Sequence, residues 1–261
     1  MILLSFDIEE FDMPFEYNKS IDFKDQMSIS IAGTTAILDI LLKNDIKATF
    51  FSTVTFALNA PEIIKRIIDE GHEVASHSYY HSDFKVEHLK SSKEKLEEIT
   101  GQEILGYRMP RMQPVDEIEI FKAGYAYNSS INPTYIPGRY NNFSKPRTFF
   151  KEKGVWQIPA SVSPLVRFPL FWLSFHNLPL SIYTFLCKQT IKKDLYLNIY
   201  FHPWEFTDLD QPERFNFPKY VHKNSGDAMI NRMNSLILWM KSQKYSFGRI
   251  KDFMATIENN K

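Results

Sequence analysis

The sequence contains little cysteine and little glycine, and it carries no net charge. Its 261 residues include one cysteine, Cys187, and 9 glycines, while 31 Lys and Arg are balanced by 31 Asp and Glu. A single cysteine, interpreted as a buried free thiol, excludes an intrachain disulfide and therefore a small disulfide-stapled secreted scaffold. The charge balance provides no net field for a polyanion, so nucleic acid and anionic lipid headgroups are not expected as partners.

Long uninterrupted hydrophobic runs are also missing. The most apolar stretch, residues 165–186, is interrupted by polar residues and prolines. We therefore expect no membrane span there and interpret the stretch as a buried or lid-like hairpin. Only the six residues 1–6 precede the first acidic cluster, which is too few for a signal peptide, so the sequence predicts a cytoplasmic location.

Aromatic residues are abundant, and apolar residues suffice for a large core. Phe, Tyr and Trp make up 15% of the chain, and hydrophobic types make up 44%. Short apolar segments such as residues 2–6 alternate with helical patterns such as residues 31–43, while 11–27 and 132–154 are expected to be loops. This alternation, at a length typical of one α/β barrel, predicts parallel βαβ units in a single domain spanning residues 1–261.

Three groups of chemically active side chains directly follow predicted strands. Asp7 and Glu9 follow the first strand, His77 and His81 follow the third, and His202 follows the last long strand. Because the carboxyl ends of the strands meet on one face of a parallel barrel, we expect these side chains to converge there. Residues two apart on an extended segment point the same way, and one helical turn would bring the two imidazoles together.

Two imidazoles and a carboxylate form a three-ligand set that leaves a divalent metal an open position for water. Zinc is the first expectation, with other first-row metals as alternatives. Taken singly, a strand-end carboxylate is more often a helix cap or a solvated charge, and a lone His-x-x-x-His pair is usually coincidence. Their joint occurrence at strand ends favours a metal-dependent active site.

The motifs along the chain resemble those of the polysaccharide deacetylase family, also called the NodB-homology family or carbohydrate esterase family 4. They occur in the family's order and are SFDIE at 5–9, ATFF at 48–51, EGHEV at 70–74, HSYYH at 77–81, YRMP at 107–110 and FHPWE at 201–205. The FHPWE form, with NSS at 128–130 and GRY at 138–140, is similar to the branch found in bacterial exopolysaccharide and surface-glycan gene sets. The resemblance implies a distorted, TIM-like (β/α) barrel that removes acetyl groups from sugars with a metal ion.

The resemblance also implies a role for each matching residue. Asp7 would be the general base, Arg108 would orient it, and His202 would be the general acid. The implied metal ligands are Glu9, His77 and His81. The implied substrate is an N-acetylated glycan or glycan precursor, and peripheral association with a membrane-bound carrier of that glycan is left open.

Two of the departures from the family's usual pattern concern the implied catalytic machinery. The commoner motif has adjacent aspartates, whereas here Ile8 separates Asp7 from Glu9; strand alternation favours Glu9 as the ligand, with Glu10 as the alternative. Asn128 stands where relatives of this branch have an aspartate, and an amide provides no charge to raise the pKa of a catalytic histidine. Asn128 therefore leaves open a glycan-binding barrel without turnover. The resemblance leaves open a second alternative, a deformylase or amidohydrolase acting on a smaller amide, as related members of the family do.

Several aromatic residues are expected to wall a sugar cleft, because aromatic rings suit the apolar faces of pyranoses. The candidates for substrate binding are Arg139, Tyr140, Trp156, Trp204 and the segment 168–185. For Trp156 and Trp204, plain core packing is an equal expectation. Trp172 is assigned to packing, and strand aromatics such as Phe6, Phe50 and Phe201 are assigned to the core.

Overall fold

A curled, mostly parallel β-sheet forms the centre of the computed structural model, which describes residues 1–259. The strands are β1 (Ile2–Ile8), β2 (Thr49–Ser52), β3 (Glu73–Ser76), β4 (Gly106–Tyr107), β5 (Tyr127–Asn128), β6 (Tyr135–Ile136), β7 (Tyr140–Asn141), β8 (Phe150–Glu152), β9 (Val155–Gln157), β10 (Leu197–Phe201) and β11 (Phe247–Gly248). The main sheet has the order β10-β1-β2-β3-β4-β5-β9-β8, with β11 also pairing with β1, and only β8 runs antiparallel to its neighbour. Strands β6 and β7 form a separate hairpin. The predicted barrel-type α/β fold is confirmed. Its sheet is curled, with β10 and β8 as the first and last strands in the order of pairing.

Helices cover the outside of this sheet. They are α1 (Phe23–Lys43), α2 (Val54–Asn59), α3 (Pro61–Asp69), α4 (Glu87–Thr100), α5 (Glu117–Lys122), α6 (Trp172–Asn177), α7 (Leu180–Asp194), α8 (Pro212–Phe215), α9 (Lys219–His222), α10 (Asp227–Ser242) and α11 (Ile250–Asn259). Short 3-10 helices occur at Met13–Tyr17, Pro110–Met112 and Pro203–Phe206. Within residues 1–259, no helix is both long enough and apolar enough to cross a membrane.

The central strands β1, β2 and β3 are buried at every residue. All seven residues of β1 are buried, because helices cover one face of the sheet and the curled interior covers the other. Phe6 lies in register with Phe50 and Phe201, and its ring centroid is 5.2 Å and 6.2 Å from theirs. Burying each such ring stabilises the fold by about 1.5–3 kcal/mol relative to exposure. The predicted aromatic core is therefore present, and it holds the strand ends in place.

Two segments expected to be loops contain regular structure. Helix α1 begins inside residues 11–27, because the side chain of Asp22 accepts a hydrogen bond from the backbone N–H of Asp25 at 2.7 Å and so caps the helix. The segment 132–154 contains the β6–β7 hairpin and β8. Both expectations were wrong for the same reason. The polar composition of these segments predicts loops, but short capping and turn sequences within them start a helix and a hairpin.

The apolar stretch 165–186 is neither a buried nor a lid-like hairpin. It begins in a loop, residues 162–169, which is closed by a bridge between Val162 and Pro169, and then continues as α6 and α7. The tip of the loop is exposed, with Leu165 at 94% and Val166 at 73% of their full accessibility. Further along, α7 buries Cys187 as the expected free thiol.

Candidate active site

A carboxylate and two imidazoles meet just beyond the ends of β1 and β3. Nε2 of His77 and Nε2 of His81 each lie 3.0 Å from Oε2 of Glu9, and all three residues are buried. One ligand atom from each residue lies within 4.8 Å of the others. One carboxylate oxygen and two imidazole nitrogens are a donor set that suits zinc and other first-row divalent metals, so these residues fit such an ion.

The far sides of both imidazoles are held by hydrogen-bond acceptors. Nδ1 of His77 lies 2.9 Å from the carbonyl oxygen of Arg108, and Nδ1 of His81 lies 2.8 Å from Oδ1 of Asp12. With Nδ1 donating to these oxygens, each ring presents the lone pair of Nε2 toward the side of Glu9. Sequence reasoning missed Asp12, whose partnership with His81 depends on how the chain turns after β1.

The neighbouring carboxylate, Glu10, is used differently from Glu9. Its Oε1 accepts a hydrogen bond from the backbone N–H of His81 at 3.1 Å, and its Oε2 accepts one from the hydroxyl of Thr53 at 2.7 Å. Glu10 therefore fastens the turn that carries His81, while Glu9 lies among the ring nitrogens. This placement agrees with the preference for Glu9 that strand alternation predicts.

Asp7 and Arg108 form an ion pair below this group. Nη1 of Arg108 donates to Oδ1 of Asp7 at 2.6 Å, and both side chains are buried. Arg108 also donates to the carbonyl and hydroxyl oxygens of Ser129, and its guanidinium carbon lies 4.0 Å from the ring centroid of Phe51. Burial raises the pKa of Asp7, but Arg108 and the nearby histidines lower it by more, so that its pKa lies below its ordinary value. Asp7 is therefore an ionised carboxylate with Arg108 bound to only one of its oxygens.

His202 follows β10 and faces the same carboxylate. Its Nε2 lies 4.0 Å from Oδ2 of Asp7, and its Nδ1 lies 3.0 Å from Oε1 of Glu205. Burial lowers the pKa of His202, but Glu205 and the carboxylates of Glu9 and Asp7 raise it by more, so that its pKa lies above its ordinary value. This environment favours a protonated imidazole near neutral pH.

Glu205 is fully buried and joins two histidines. Its Oε1 accepts from the backbone N–H of His202 at 2.6 Å, and its Oε2 lies 3.0 Å from Nε2 of His176. Burial raises the pKa of Glu205, but hydrogen bonds from His176 and His202 lower it by more, so the carboxylate stays charged. Sequence reasoning quoted Glu205 only as part of a motif and missed His176. The three-residue step from His202 to Glu205, within one helical turn, was the available signal.

The side chain of Asn128, which carries no charge, bonds to two neighbouring polar side chains. Its amide nitrogen donates to Oε1 of Gln157 at 2.9 Å, and its amide oxygen accepts from the hydroxyl of Ser130. The negative charge beside His202 comes from Glu205 instead.

A cavity of about 300 Å³ opens above these groups. Asp7, Glu9 and the histidines 77, 81 and 202 contribute to its lining, as do the predicted Arg139, Tyr140 and Trp204. The ring of Trp204 stacks on that of His202 with centroids 4.8 Å apart. Trp172, which was assigned to packing, also lines the cavity and lies 5.6 Å from the His202 ring. From the segment 168–185, residues 171–173 reach the cavity.

Trp156, by contrast, is not among the residues that line this cavity in the described part of the chain. It is buried in a separate apolar cluster with Tyr196 and Phe253, and its ring centroid lies 6.1 Å from that of Phe149. The C-terminal helix α11 packs over this cluster, and its Glu258 accepts a hydrogen bond from the indole N–H of Trp156 at 3.3 Å. The expectation of a sugar contact for Trp156 is therefore wrong.

Three other polar side chains differ in whether they reach this cavity. His72 is buried immediately before β3, where its Nδ1 accepts a hydrogen bond from the N–H of Ala48 at 3.2 Å. His222 lies 3.6 Å from Asp210 and does not line the cavity within the described residues. Arg111 does line the cavity, and it donates to both carboxylate oxygens of Asp12 at 3.2 Å.

Comparison with known sequences finds carbohydrate deacetylases. Residues 21–127 match the family model described as polysaccharide deacetylase. A peptidoglycan-N-acetylmuramic acid deacetylase, PdaA of Bacillus subtilis, is 38% identical over 86 residues, which are 30% of this chain and 33% of that protein. A chitooligosaccharide deacetylase of Bradyrhizobium sp. is 46% identical over 50 residues, 19% of this chain and 23% of that protein. The chain thus spans a third or less of the length of these relatives.

Solved structures share the fold over almost the whole chain. A probable polysaccharide deacetylase from Pseudomonas aeruginosa PAO1 has a TM-score of 0.68 and 16% identity, covering 96% of this chain and 88% of that chain. The allantoinase Puue has a TM-score of 0.62 and 18% identity, covering 96% of this chain and 87% of that chain. At these identities the likeness establishes the fold alone. The chain thus has the fold of a probable polysaccharide deacetylase, and its residues 21–127 match the polysaccharide deacetylase family model.

Proposed function

We propose that this protein is a metal-dependent hydrolase that removes an N-acetyl or other N-acyl group from an amino sugar in a glycan or glycan precursor. One observation carries the proposal: a three-residue metal-donor group, an ionised Asp7 and a His202 that favours protonation all line one cavity. Amide hydrolysis needs a proton acceptor for the attacking water and a proton donor for the departing nitrogen. The cavity contains a candidate for each.

The proposed metal ligands are Glu9, His77 and His81. A divalent cation, zinc by our preference, supplies Lewis-acid polarisation of the scissile carbonyl when bound and makes water easier to deprotonate. Asp12 and the carbonyl of Arg108 keep the two rings in the tautomer that such an ion requires.

Asp7 is the proposed general base. Arg108 occupies Oδ1 and keeps the carboxylate ionised, which leaves Oδ2 to take a proton from the attacking water. The guanidinium is itself fixed by Ser129 and by packing on Phe51, so the pair has one orientation. Arg108 is therefore a positioning residue for the base.

His202 is the proposed general acid. The Nδ1–H group is directed at Glu205, which leaves the proton on Nε2 to pass to the sugar nitrogen as the C–N bond breaks. The water oxygen forms a bond to the carbonyl carbon as Asp7 takes one proton from it, and the C–N bond breaks as His202 gives one proton to the nitrogen. The products are a free amine and a carboxylic acid, which loses its remaining proton to solvent and becomes a carboxylate; return of a proton from Asp7 to His202 restores the starting state. Glu205, held in turn by His176, positions His202 and sustains its charge.

Aromatic walls and modest volume support a carbohydrate substrate presented one sugar at a time. Tyr140, Trp172 and Trp204 suit the apolar faces of a pyranose, and about 300 Å³ lies at the lower end of the range for ligand sites. The relatives named for peptidoglycan and chitooligosaccharides support the same class. The FHPWE motif supports a bacterial exopolysaccharide or surface-glycan precursor as the particular substrate.

The size of the cavity also favours one competing function, amidohydrolysis or deformylation of a smaller amide. The non-catalytic alternative loses its main argument, because Glu205 provides the charge that Asn128 does not. Acetate release from a panel of N-acetylated amino sugars and oligosaccharides by zinc-loaded protein tests the proposal. Activity on small formyl or ring amides alone would replace it with the amidohydrolase, and inertness toward the whole panel with metal bound would leave the binding barrel.

A further inference from the structure

Five apolar side chains are exposed on neighbouring loops outside the wall of the cavity. We call them, with the basic residues beside them, the outer loop surface: Tyr135, Phe143, Leu165, Val166 and Phe168, with Arg167, Lys192 and Lys193. Leu165 and Val166, at the tip of the 162–169 loop, are the most exposed of the apolar group. A cluster of exposed apolar side chains of this kind usually marks a surface that binds a membrane, another protein or a ligand.

Hydrogen bonds hold the tip of this loop outward. The N–H of Ser163 donates to the carbonyl of Phe168 at 2.8 Å, and the N–H of Phe168 donates to the hydroxyl of Ser163 at 2.9 Å. Arg167 has a left-handed φ of 52° and donates to the carbonyls of Pro133 and Lys145 at 3.3 and 2.9 Å. These contacts fix the loop in the conformation that exposes the side chains of Leu165 and Val166.

The same contacts join the loop to its neighbours. The guanidinium carbon of Arg167 lies 5.6 Å from the ring centroid of Phe143. Arg147 donates to the carbonyl of Val162 at 3.4 Å and also pairs with Asp194, the last residue of α7. The end of α7, with its exposed Lys192 and Lys193, therefore lies beside the loop.

Charge is distributed unevenly around this surface, although the chain as a whole has 31 residues of each sign. Residues 129–193 contain nine Lys and Arg and a single acidic residue, Glu152. Four of these cations pair with carboxylates, namely Arg139, Lys145, Arg147 and Lys153. Among residues 1–259, no carboxylate pairs with Arg167, Lys192 or Lys193. The neutral net charge thus conceals a basic region, a feature that a whole-chain count cannot detect.

We propose that the outer loop surface binds an anionic phospholipid bilayer, with Leu165 and Val166 entering the interface and the basic residues contacting lipid phosphates. Exposed aliphatic and aromatic residues flanked by unpaired lysine and arginine are the combination that binds such an interface, since apolar burial and charge attraction add. Cavity-lining residues such as Tyr140 and Phe171 belong to the segments that flank this surface, so a bound bilayer would lie beside the cavity wall. The proposal stands independently of the chemistry in the cavity.

Vesicle sedimentation tests the proposal with the full chain. We expect the protein to sediment with vesicles of phosphatidylcholine and phosphatidylglycerol, to do so much less with phosphatidylcholine alone, and to be released by salt. Replacing both tip residues, Leu165→Glu with Val166→Glu, is expected to lower the bound fraction by about tenfold or more, because their apolar burial is lost. The matched control, Leu42→Glu with Leu238→Glu, changes two exposed leucines on other helices and is expected to bind normally.

A charge-reversal pair separates the electrostatic contribution. Lys192→Glu with Lys193→Glu is expected to weaken sedimentation with the anionic vesicles, whereas Lys24→Glu with Lys90→Glu, at exposed positions elsewhere, is expected to leave it unchanged. Circular dichroism verifies that each variant is folded. Failure to bind anionic vesicles, or equal binding by the tip variant and its control, would overturn the proposal. So would a dimer that the tip variant abolishes in the absence of vesicle binding, since the surface would then bind a second copy.

Discussion

Oε1 of Glu205 accepts two hydrogen bonds from His202, one from Nδ1 at 3.0 Å and one from the backbone N–H at 2.6 Å. The 3-10 turn at Pro203–Phe206 makes this possible, because His202 caps the start of the turn and the turn brings the side chain of Glu205 back to it. The imidazole is therefore fixed in orientation and tautomer by a carboxylate on its own segment. Its free edge, Nε2, is left facing Asp7 and the cavity.

Glu205→Gln is expected to shift the pH dependence of turnover. The pKa of His202 lies above its ordinary value with Glu205 charged, so the protonated acid persists to higher pH. Removing that charge lowers the pKa of His202, so the alkaline fall in kcat should begin at a lower pH, and kcat at neutral pH should drop by about tenfold or more. A kcat–pH profile of both proteins measures this.

Two outcomes would contradict that role. The profile of the variant could fall uniformly with no displacement along the pH axis, which would indicate a structural role only. Alternatively, Asn128→Asp could displace the profile instead, which would return the supporting role to position 128. We expect Asn128→Asp to leave the profile in place, because Asn128 is bonded to Gln157 and Ser130.

Substitutions at Glu9 and Glu10 should separate their roles in metal binding. Glu9→Gln removes the carboxylate placed 3.0 Å from both imidazoles, so we expect the purified protein to lose stoichiometric zinc. Glu10→Gln is the matched control and should retain zinc, because Glu10 bonds Thr53 and the backbone of His81. Elemental analysis after dialysis decides between them, and the reverse pattern would exchange the two roles.

Asp12→Ala should weaken metal binding without abolishing it. Asp12 bonds Nδ1 of His81, and removing such a partner of a ligand typically lowers metal affinity about 10- to 100-fold. Titration with zinc in the presence of a competing chelator measures the change. An unchanged affinity would show that His81 is oriented by other contacts.

Asp7→Asn is expected to lower acetate release by about a hundredfold to ten-thousandfold while zinc content stays the same. The amide retains the shape of the side chain but cannot take a proton. The change also leaves the buried Arg108 without its counter-charge, so the variant should be less stable, and activity must be referred to the folded fraction measured by circular dichroism. Near-normal activity at full zinc occupancy would exclude Asp7 as the base.

The parts of the site that sequence could predict are those that obey the strand-end rule. Asp7 lies at the carboxyl end of β1, and the other four, Glu9, His77, His81 and His202, follow central strands. Parallel strands bring these carboxyl ends together whatever the helices do. For these residues, local pattern and global topology agree, so the motif spacing was enough.

The parts that could not be predicted depend on contacts between elements far apart in the chain. His176, on α6, bonds to Glu205, and Asp12, in the segment after β1, bonds to His81, in the segment after β3. Trp156 shows the opposite failure: it is aromatic and lies on a strand, but packing of α11 decides that it is core. The 162–169 loop was misread because apolar composition alone does not reveal which side chains the backbone holds outward.

Gly33 offers a test of how the fold positions the proposed acid. Helix α1 approaches the Pro203 segment so closely that a Cβ on Gly33 would lie 1.9 Å from the carbonyl oxygen of Pro203. Gly33→Ala must therefore push α1 away from the turn that carries His202, and overpacking of this kind typically costs about 1–3 kcal/mol. We expect a lower melting temperature and reduced kcat with unchanged zinc content, whereas Ser28→Ala, on the exposed side of the same helix, should alter neither. If Gly33→Ala lowered stability but left kcat intact, the α1 contact would serve the fold alone and His202 would be positioned by Glu205 without it.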